Sequence, residues 1–169
     1  KEEAEAEART DYLTGLYNRR AFYNLAKPIE SQAKRYGRPY ALTLMDIDHF
    51  KLVNDNWGHD VGDAALKVVS KVIADETREE DIIARFGGEE FILMMPETGL
   101  NKALVISERI RKSVEDLALK SKNGKTIKLS ISCGVASQSS SEDSVDDVIH
   151  KADTALYKAK NGGRNRVEV

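Results

Sequence analysis

The stretch ARFGGEEFILMM, Ala84–Met95, decides how the fold is read. Two apolar runs flank Gly87–Gly88 and the acids Glu89 and Glu90. Each run reads as a strand, and the glycine pair reads as the tight turn joining them. Glycine takes positive φ at no steric cost, and it lets another molecule approach the backbone closely. The turn is either a solvated acidic tip or a cation site with Glu89 and Glu90 at the edge of a pocket. The stretch by itself leaves both open.

Strands and helices alternate outward from this hairpin. YALTLMDID (40–48) is a mostly apolar run ending in acids and reads as a buried strand. Residues 49–76 read as two helices interrupted near Trp57–Gly58, with Val61, Ala64, Ala65, Val68, Val69 and Val72 keeping a helical period. An amphipathic helix is expected over 101–119 and a last helix over 144–160. Between them, a strand over 123–137 is entered through an Asn-Gly turn, and NRVEV closes the chain as a short strand. An earlier helix runs to about Arg35 and stops at YGRP, where Gly37 and Pro39 punctuate it. KEEAEAEART (1–10) is rich in helix formers but lacks an apolar face. It is expected to end an upstream linker helix, with the domain itself over 11–169 and a sensor domain further upstream. The alternation predicts one mixed sheet with helices on its faces.

Composition narrows the function. The chain has 169 residues, enough for one domain with a real core, and a formal net charge of −2. That charge argues against a broad nucleic-acid or anionic-membrane surface, so any phosphate binding must be local. No run approaches the roughly 20 apolar residues that span a bilayer, and no signal-peptide pattern opens the chain. Cys133, the single cysteine, sits among small and apolar residues and is expected to be a buried reduced thiol. A cytoplasmic setting fits these features, although a parent protein could be membrane-anchored.

A second acidic group lies in LTLMDIDHFKLVND. Asp46 ends the buried strand and Asp48 follows two residues on. Buried carboxylates must be paired, hydrogen-bonded or bound to metal. Asp48 has a plain alternative role, capping the helix that starts at His49. If the strand of Asp46 lies beside the hairpin, Asp46 and Glu89 can converge. Oxygen ligands without a Cys or His cluster favour Mg²⁺ or Mn²⁺, which bind few carboxylates and add substrate phosphates. Phosphate groups then have three candidate partners: the backbone N–H groups at His49–Phe50, Lys51 beside them, and Lys160 with Arg164 around the KNGGRNR turn. Asn54 and Asp63 flank the helix break. An Asn amide can donate to guanine O6 and an Asp carboxylate can accept from N1–H and N2–H₂. Capping of helix ends is the alternative for both.

Together DYLTGLYNRR, DIDHFKLVND, GHDVGD, RFGGEEF and ADTALYKAKNGGRN resemble the GGDEF-domain diguanylate cyclases, over nearly the whole chain. The resemblance implies an α/β (α+β) fold. Its mixed, mainly antiparallel sheet of about five strands is wrapped by helices, as in nucleotide cyclases and polymerase palms. It implies condensation of two GTP to cyclic di-GMP and two pyrophosphates across a homodimer. It implies two Mg²⁺ or Mn²⁺ ions held by Asp46, Glu89 and the Ile47 carbonyl. By the same resemblance Glu89 would assist deprotonation of the 3′-hydroxyl, with Glu90 and Lys51 beside the reaction. Asn54 and Asp63 would read guanine near His59, while His49, Phe50, Lys51, Lys160 and Arg164 would meet phosphates. REED, Arg78 to Asp81, matches the family's product-binding inhibitory site, which Arg109 would complete. The alternative is a catalytically weak domain that binds GTP or cyclic di-GMP as an effector.

Overall fold

A computed structural model describes residues 8–140 and 143–169 of the chain. Its centre is a five-stranded sheet in the order β2-β3-β1-β6-β7. The strands are β1 (Tyr40–Ile47), β2 (Ile82–Arg85), β3 (Glu90–Pro96), β6 (Ile131–Ser137) and β7 (Val167–Glu168). Neighbours are antiparallel except β7, which runs parallel to β6. The helices are α1 (Arg19–Tyr36), α2 (Phe50–Trp57), α3 (His59–Asp75), α4 (Leu100–Glu115) and α5 (Val145–Asn161).

Side-chain alternation sorts the central strand into two cores. Ala41, Met45 and Ile47 of β1 pack with Phe91 and Leu93 of β3 against Val69 and Ile73 of α3 and Ile110 of α4. Leu42 and Leu44 pack with Ile92 and Met94 against Phe22 and Ala26 of α1 and Val148 and Leu156 of α5. Both faces of β1 are covered, which is why the strand reads as a continuous apolar run. Asp46 follows the same parity as Leu42 and Leu44, so it belongs to the α5 face.

Local signals place the helices. Asn18 caps α1 by accepting from the Ala21 N–H. Ser144 and Asp147 form a capping box at the start of α5. Gly58 separates α2 from α3 at φ 91°, a value that a side chain would disfavour. On β6, Gly134 lies directly under α5: a Cβ there would fall 2.2 Å from both the Ala152 carbonyl and the Leu156 nitrogen. The outer edge of β2 is covered rather than open, because Arg85 donates its N–H to Tyr17 and Tyr17 bridges Ala84.

Four expectations need correction or limits. The segment 123–137 is not one strand. Asn123–Gly124 is the tip of a separate hairpin, β4 (Leu119–Lys120) with β5 (Thr126–Ile127), and β6 starts only at Ile131. The Gly87–Gly88 turn is wider than two residues, since Arg85 pairs with Phe91 and the Phe86 and Gly87 N–H groups both donate to the Glu90 carbonyl. Neither glycine takes positive φ. Backbone strain therefore does not demand them, and open space above Gly88 is the property that the turn retains. The helix expected over 1–10 lies mostly outside the described residues; Ala8 and Arg9 form a turn, and Thr10 bridges Tyr17.

Candidate active site

Three candidate acids gather where β1 ends beside the start of β3. The register sets Asp46 directly opposite Glu90 on one side and Ser132 on the other. Glu89 sits one residue before β3, where its carbonyl accepts from the Ile47 N–H at 3.2 Å. The backbone of Ile47 and the backbone of Glu89 are thus in direct contact, and the carboxylates of Glu89 and Glu90 flank the end of β1. Among the described residues neither glutamate side chain has a hydrogen-bond partner.

Asp46 is 8% exposed. Lys160, in the last turn of α5, donates to its Oδ2 at 2.7 Å. Burial pushes the Asp46 carboxyl up, and nearby Asp48 adds to this, while Lys160 opposes it. Burial likewise raises Glu90, followed by the charges of Asp46 and Asp153. Burial alone would lower Lys160, yet its ammonium is raised by the Asp46 hydrogen bond and by the charges of Asp46, Glu90 and Glu89. One ammonium therefore sits in the field of all three acids.

Asp48 does not cap a helix. The N-cap of α2 is His49, in the left-handed region at φ 55°, without a side-chain cap. The Asp48 carboxylate is buried and accepts from Ser130 Oγ at 2.7 Å, Ser132 Oγ at 2.6 Å and the Asn165 N–H at 2.9 Å. It ties the end of β1 to β6 and to the turn carrying Arg164. The first turn of α2, from Phe50 through exposed Lys51, contains no acid. Its free N–H groups and Lys51 remain open to an anion.

Asn54 on α2 and exposed Asp63 on α3 stand on either side of the break, where exposed His59 starts α3. Among the described residues neither side chain caps a helix or finds a partner. Asn54 lies flat against Gly62: a Cβ on Gly62 would fall 1.8 Å from Asn54 Oδ1. Gly62 thus sets where the Asn54 amide lies, a positioning role that GHDVGD hides in its fourth-to-fifth step.

Sequence reasoning also passed over Arg85. Its guanidinium donates to the Gly88 carbonyl at 2.7 Å and 3.1 Å and to Asp11 at 3.1 Å and 3.4 Å. Burial of Asp11 is outweighed by the Thr14 hydroxyl and N–H and by Arg85, which hold its carboxyl below the ordinary range. The DYLTG turn and the GGEEF turn therefore share one side chain, and the signal was the Arg immediately before Phe86 in the opening stretch.

The expected product-binding residues lie apart from the acids of the β1–β3 end in the chain. Arg78 and Asp81 lie in the turn before β2. Arg78 donates to Asp81 Oδ1 at 2.9 Å, the Pro96 carbonyl at 3.0 Å and Thr98 Oγ1 at 2.9 Å. Arg109 pairs with Glu76 at 3.1 Å. Cys133 is a buried free thiol, raised by burial. No helix among the described residues is long and apolar enough to cross a membrane.

Comparison with known proteins agrees with this geometry. A family profile described as "Diguanylate cyclase, GGDEF domain" matches residues 8–166. The chain is 43% identical over 163 residues to the diguanylate cyclase DosC of Escherichia coli K12, covering 96% of this chain and 35% of that protein. It is 40% identical over 167 residues to the diguanylate cyclase DgcM of the same strain, covering 99% of this chain and 40% of the relative. It thus spans well under half of these curated relatives. Among solved structures, the coiled coil and GGDEF domain of DgcB from Caulobacter crescentus, in complex with c-di-GMP, superposes with a TM-score of 0.95 at 35% identity, over 99% of this chain and 88% of that one. The active GGEEF domain of a diguanylate cyclase from Vibrio cholerae gives 0.83 at 32% identity, over 89% and 95%. With Gly87–Phe91 forming the hairpin turn beside Asp46, the chain belongs to the GGDEF family of diguanylate cyclase domains.

Proposed function

We propose that the domain condenses two GTP into cyclic di-GMP and two pyrophosphates, each domain of a homodimer supplying one GTP. The observation that carries this reading is the meeting of Asp46, Glu89 and Glu90 at one end of the sheet, beside the open N-terminus of α2 and the Lys160–Arg164 turn. The 3′-hydroxyl of each GTP attacks the α-phosphorus of the other. The bond to the β-phosphate oxygen breaks, and pyrophosphate leaves. Glu89 takes the hydroxyl proton. The α2 N–H groups at His49 and Phe50, with Lys51, Lys160 and Arg164, hold the phosphates.

The donor set suits Mg²⁺ or Mn²⁺: Asp46, Glu89 and the Ile47 carbonyl are hard oxygens, and buried Asp46 already takes a cationic partner. When bound, two such ions would polarise the phosphoryl oxygens and favour the ionised 3′-oxygen. Incubation with GTP and Mg²⁺, with products separated by chromatography and identified by mass, tests the assignment. Cyclic di-GMP should form, with specific activity rising as the protein is concentrated. An effector-only domain would bind GTP and return it unchanged.

Guanine selection rests on Asn54 and Asp63, with His59 near the nucleotide. Gly62→Ala should raise the KM for GTP at least about tenfold with little change in kcat, because the new methyl displaces the Asn54 amide and leaves guanine unpaired. An unchanged KM would remove Asn54 from recognition.

Product inhibition is proposed at Arg78, Asp81 and Arg109. Both arginine side chains are partly exposed and present planar donor forks. Engaging a ligand requires Arg109 to leave Glu76, an exposed pair worth at most about 1 kcal/mol. Arg109→Ala should weaken cyclic di-GMP inhibition at least about tenfold while sparing initial turnover. Arg78→Ala should abolish inhibition. Inhibition curves that superpose on the parent's would reduce REED to a charged turn.

A further inference from the structure

The cation site already contains a cation. Lys160 Nζ lies 2.7 Å from Asp46 Oδ2, a short charge-assisted contact on a carboxylate that is nearly buried. Among the described residues, no group of three or more His, Cys, Asp or Glu side chains is arranged to hold a metal ion. The acids alone do not form a cage, and the one placed deepest is engaged by an ammonium group. Lys160 has room to leave. Its side chain is 36% exposed, it stands at the last turn of α5, and its flexible stem can swing toward solvent. A short distance away, the uncapped start of α2 marks where phosphate oxygens would collect.

We propose that Lys160 is the resident counter-ion of this site. It keeps Asp46 closed to free divalent cation and yields it only to a cation arriving with a triphosphate, whose oxygens then accept the ammonium. The inference rests on the reading of Asp46 as a cation ligand and goes beyond Lys160 as a phosphate contact. A free cation that takes Asp46 breaks the 2.7 Å Lys160 contact and sets a second positive charge beside the ammonium, with no phosphate there to accept it. A cation that arrives on a triphosphate brings the replacement acceptors with it. Cation and triphosphate therefore bind with positive coupling, and by linkage each tightens the other equally. Lys160 supplies that coupling through its exchange of partners.

Titration of the nucleotide-free protein with Mn²⁺, following the electron paramagnetic resonance signal of the free ion, measures the closed state. Lys160→Gln should bind Mn²⁺ on the order of tenfold tighter than the parent, the factor carried by about 1.4 kcal/mol. A non-hydrolysable GTP analogue should tighten Mn²⁺ binding strongly in the parent and about tenfold less in the variant. Arg164→Gln removes a charge that acts on Asp46 but is not bonded to it, so it should shift Mn²⁺ affinity by less than about threefold. Adding Asp46→Asn to Lys160→Gln should erase the gain. Equal Mn²⁺ affinity in parent and Lys160→Gln overturns the proposal. So does an equal gain from Arg164→Gln, which would reduce the effect to net charge. Lys160→Met, which keeps the stem without the charge, should behave as Lys160→Gln, and a parent-like result in both overturns the idea. GTP turnover is read separately: expected Mn²⁺ behaviour without turnover sinks the cyclase reading alone, and turnover without it sinks this inference alone.

Discussion

Glu89→Gln should fold as the parent does and turn over GTP about 10³-fold more slowly, within the range that a lost general base removes. The two halves of this expectation have separate causes. The substitution keeps side-chain shape, and among the described residues the Glu89 carboxylate bonds to nothing in the protein. The Glu89 contact that matters to the sheet is made by its carbonyl, which accepts from Ile47 and is untouched by the change. Stability should therefore stay within about 0.5 kcal/mol. The charge is what disappears, and with it a proton acceptor and an oxygen ligand at the same point. Steady-state turnover beside thermal unfolding checks both halves. Turnover within about threefold of the parent would take Glu89 out of the chemistry and move attention to Glu90, which faces Asp46 across the ladder.

Asp48→Ala should produce the largest loss of stability, about 3–5 kcal/mol, the cost of stripping a buried charge from its network. Three donors lose one acceptor: the hydroxyls of Ser130 and Ser132 and the Asn165 N–H. The hydroxyls can rotate toward other acceptors, but the Asn165 amide cannot, because the Asn165 side chain is itself held by Arg111 and Glu115. Asp48→Asn should lie between the two, since its amide oxygen can still accept from one of them. Urea unfolding measures the change; a loss under about 1 kcal/mol would show that the terminal turn holds its place without Asp48. The variant should also bind GTP more weakly, since Arg164 precedes the loosened Asn165.

The elements with a long hydrophobic period were legible in the sequence, and so was the acidic end of β1. The helix break at Gly58 was legible because the left-handed region it needs is a glycine signal. The β4–β5 hairpin was not, because two-residue strands with exposed Lys120 and Thr126 carry no periodicity. The role of Asp48 was hidden by distance along the chain: its partners lie 82, 84 and 117 residues away, while a capping role needs only the next few. Gly87 and Gly88 were recognised for a turn, but the dihedral reason was the wrong one. Glu90 as the residue opposite Asp46 required the β1–β3 register, which joins strands separated along the chain by two helices and β2 and is set by no local turn. Gly62 and Arg85 act through contacts across elements: Arg85 stood in the opening stretch, but its partners Asp11 and Gly88 did not follow from that place, and no local pattern announces Gly62.

Gly134 is buried under α5, yet it bears on how this domain tolerates mutation. The atoms above it are main-chain atoms of α5 at Ala152 and Leu156. A larger residue there has no side chain above it that a second mutation could trim. The helix itself would have to lift, and Lys160 lies four residues beyond Leu156, about 6 Å further along the axis. A lineage drifting at position 134 would thus lose the spacing between ammonium and carboxylate at the far end of the helix, with no single compensating change within reach. Selection for output alone would keep this position as closely as one that touches substrate, and a mutational scan read without the structure would misfile it as part of the active site.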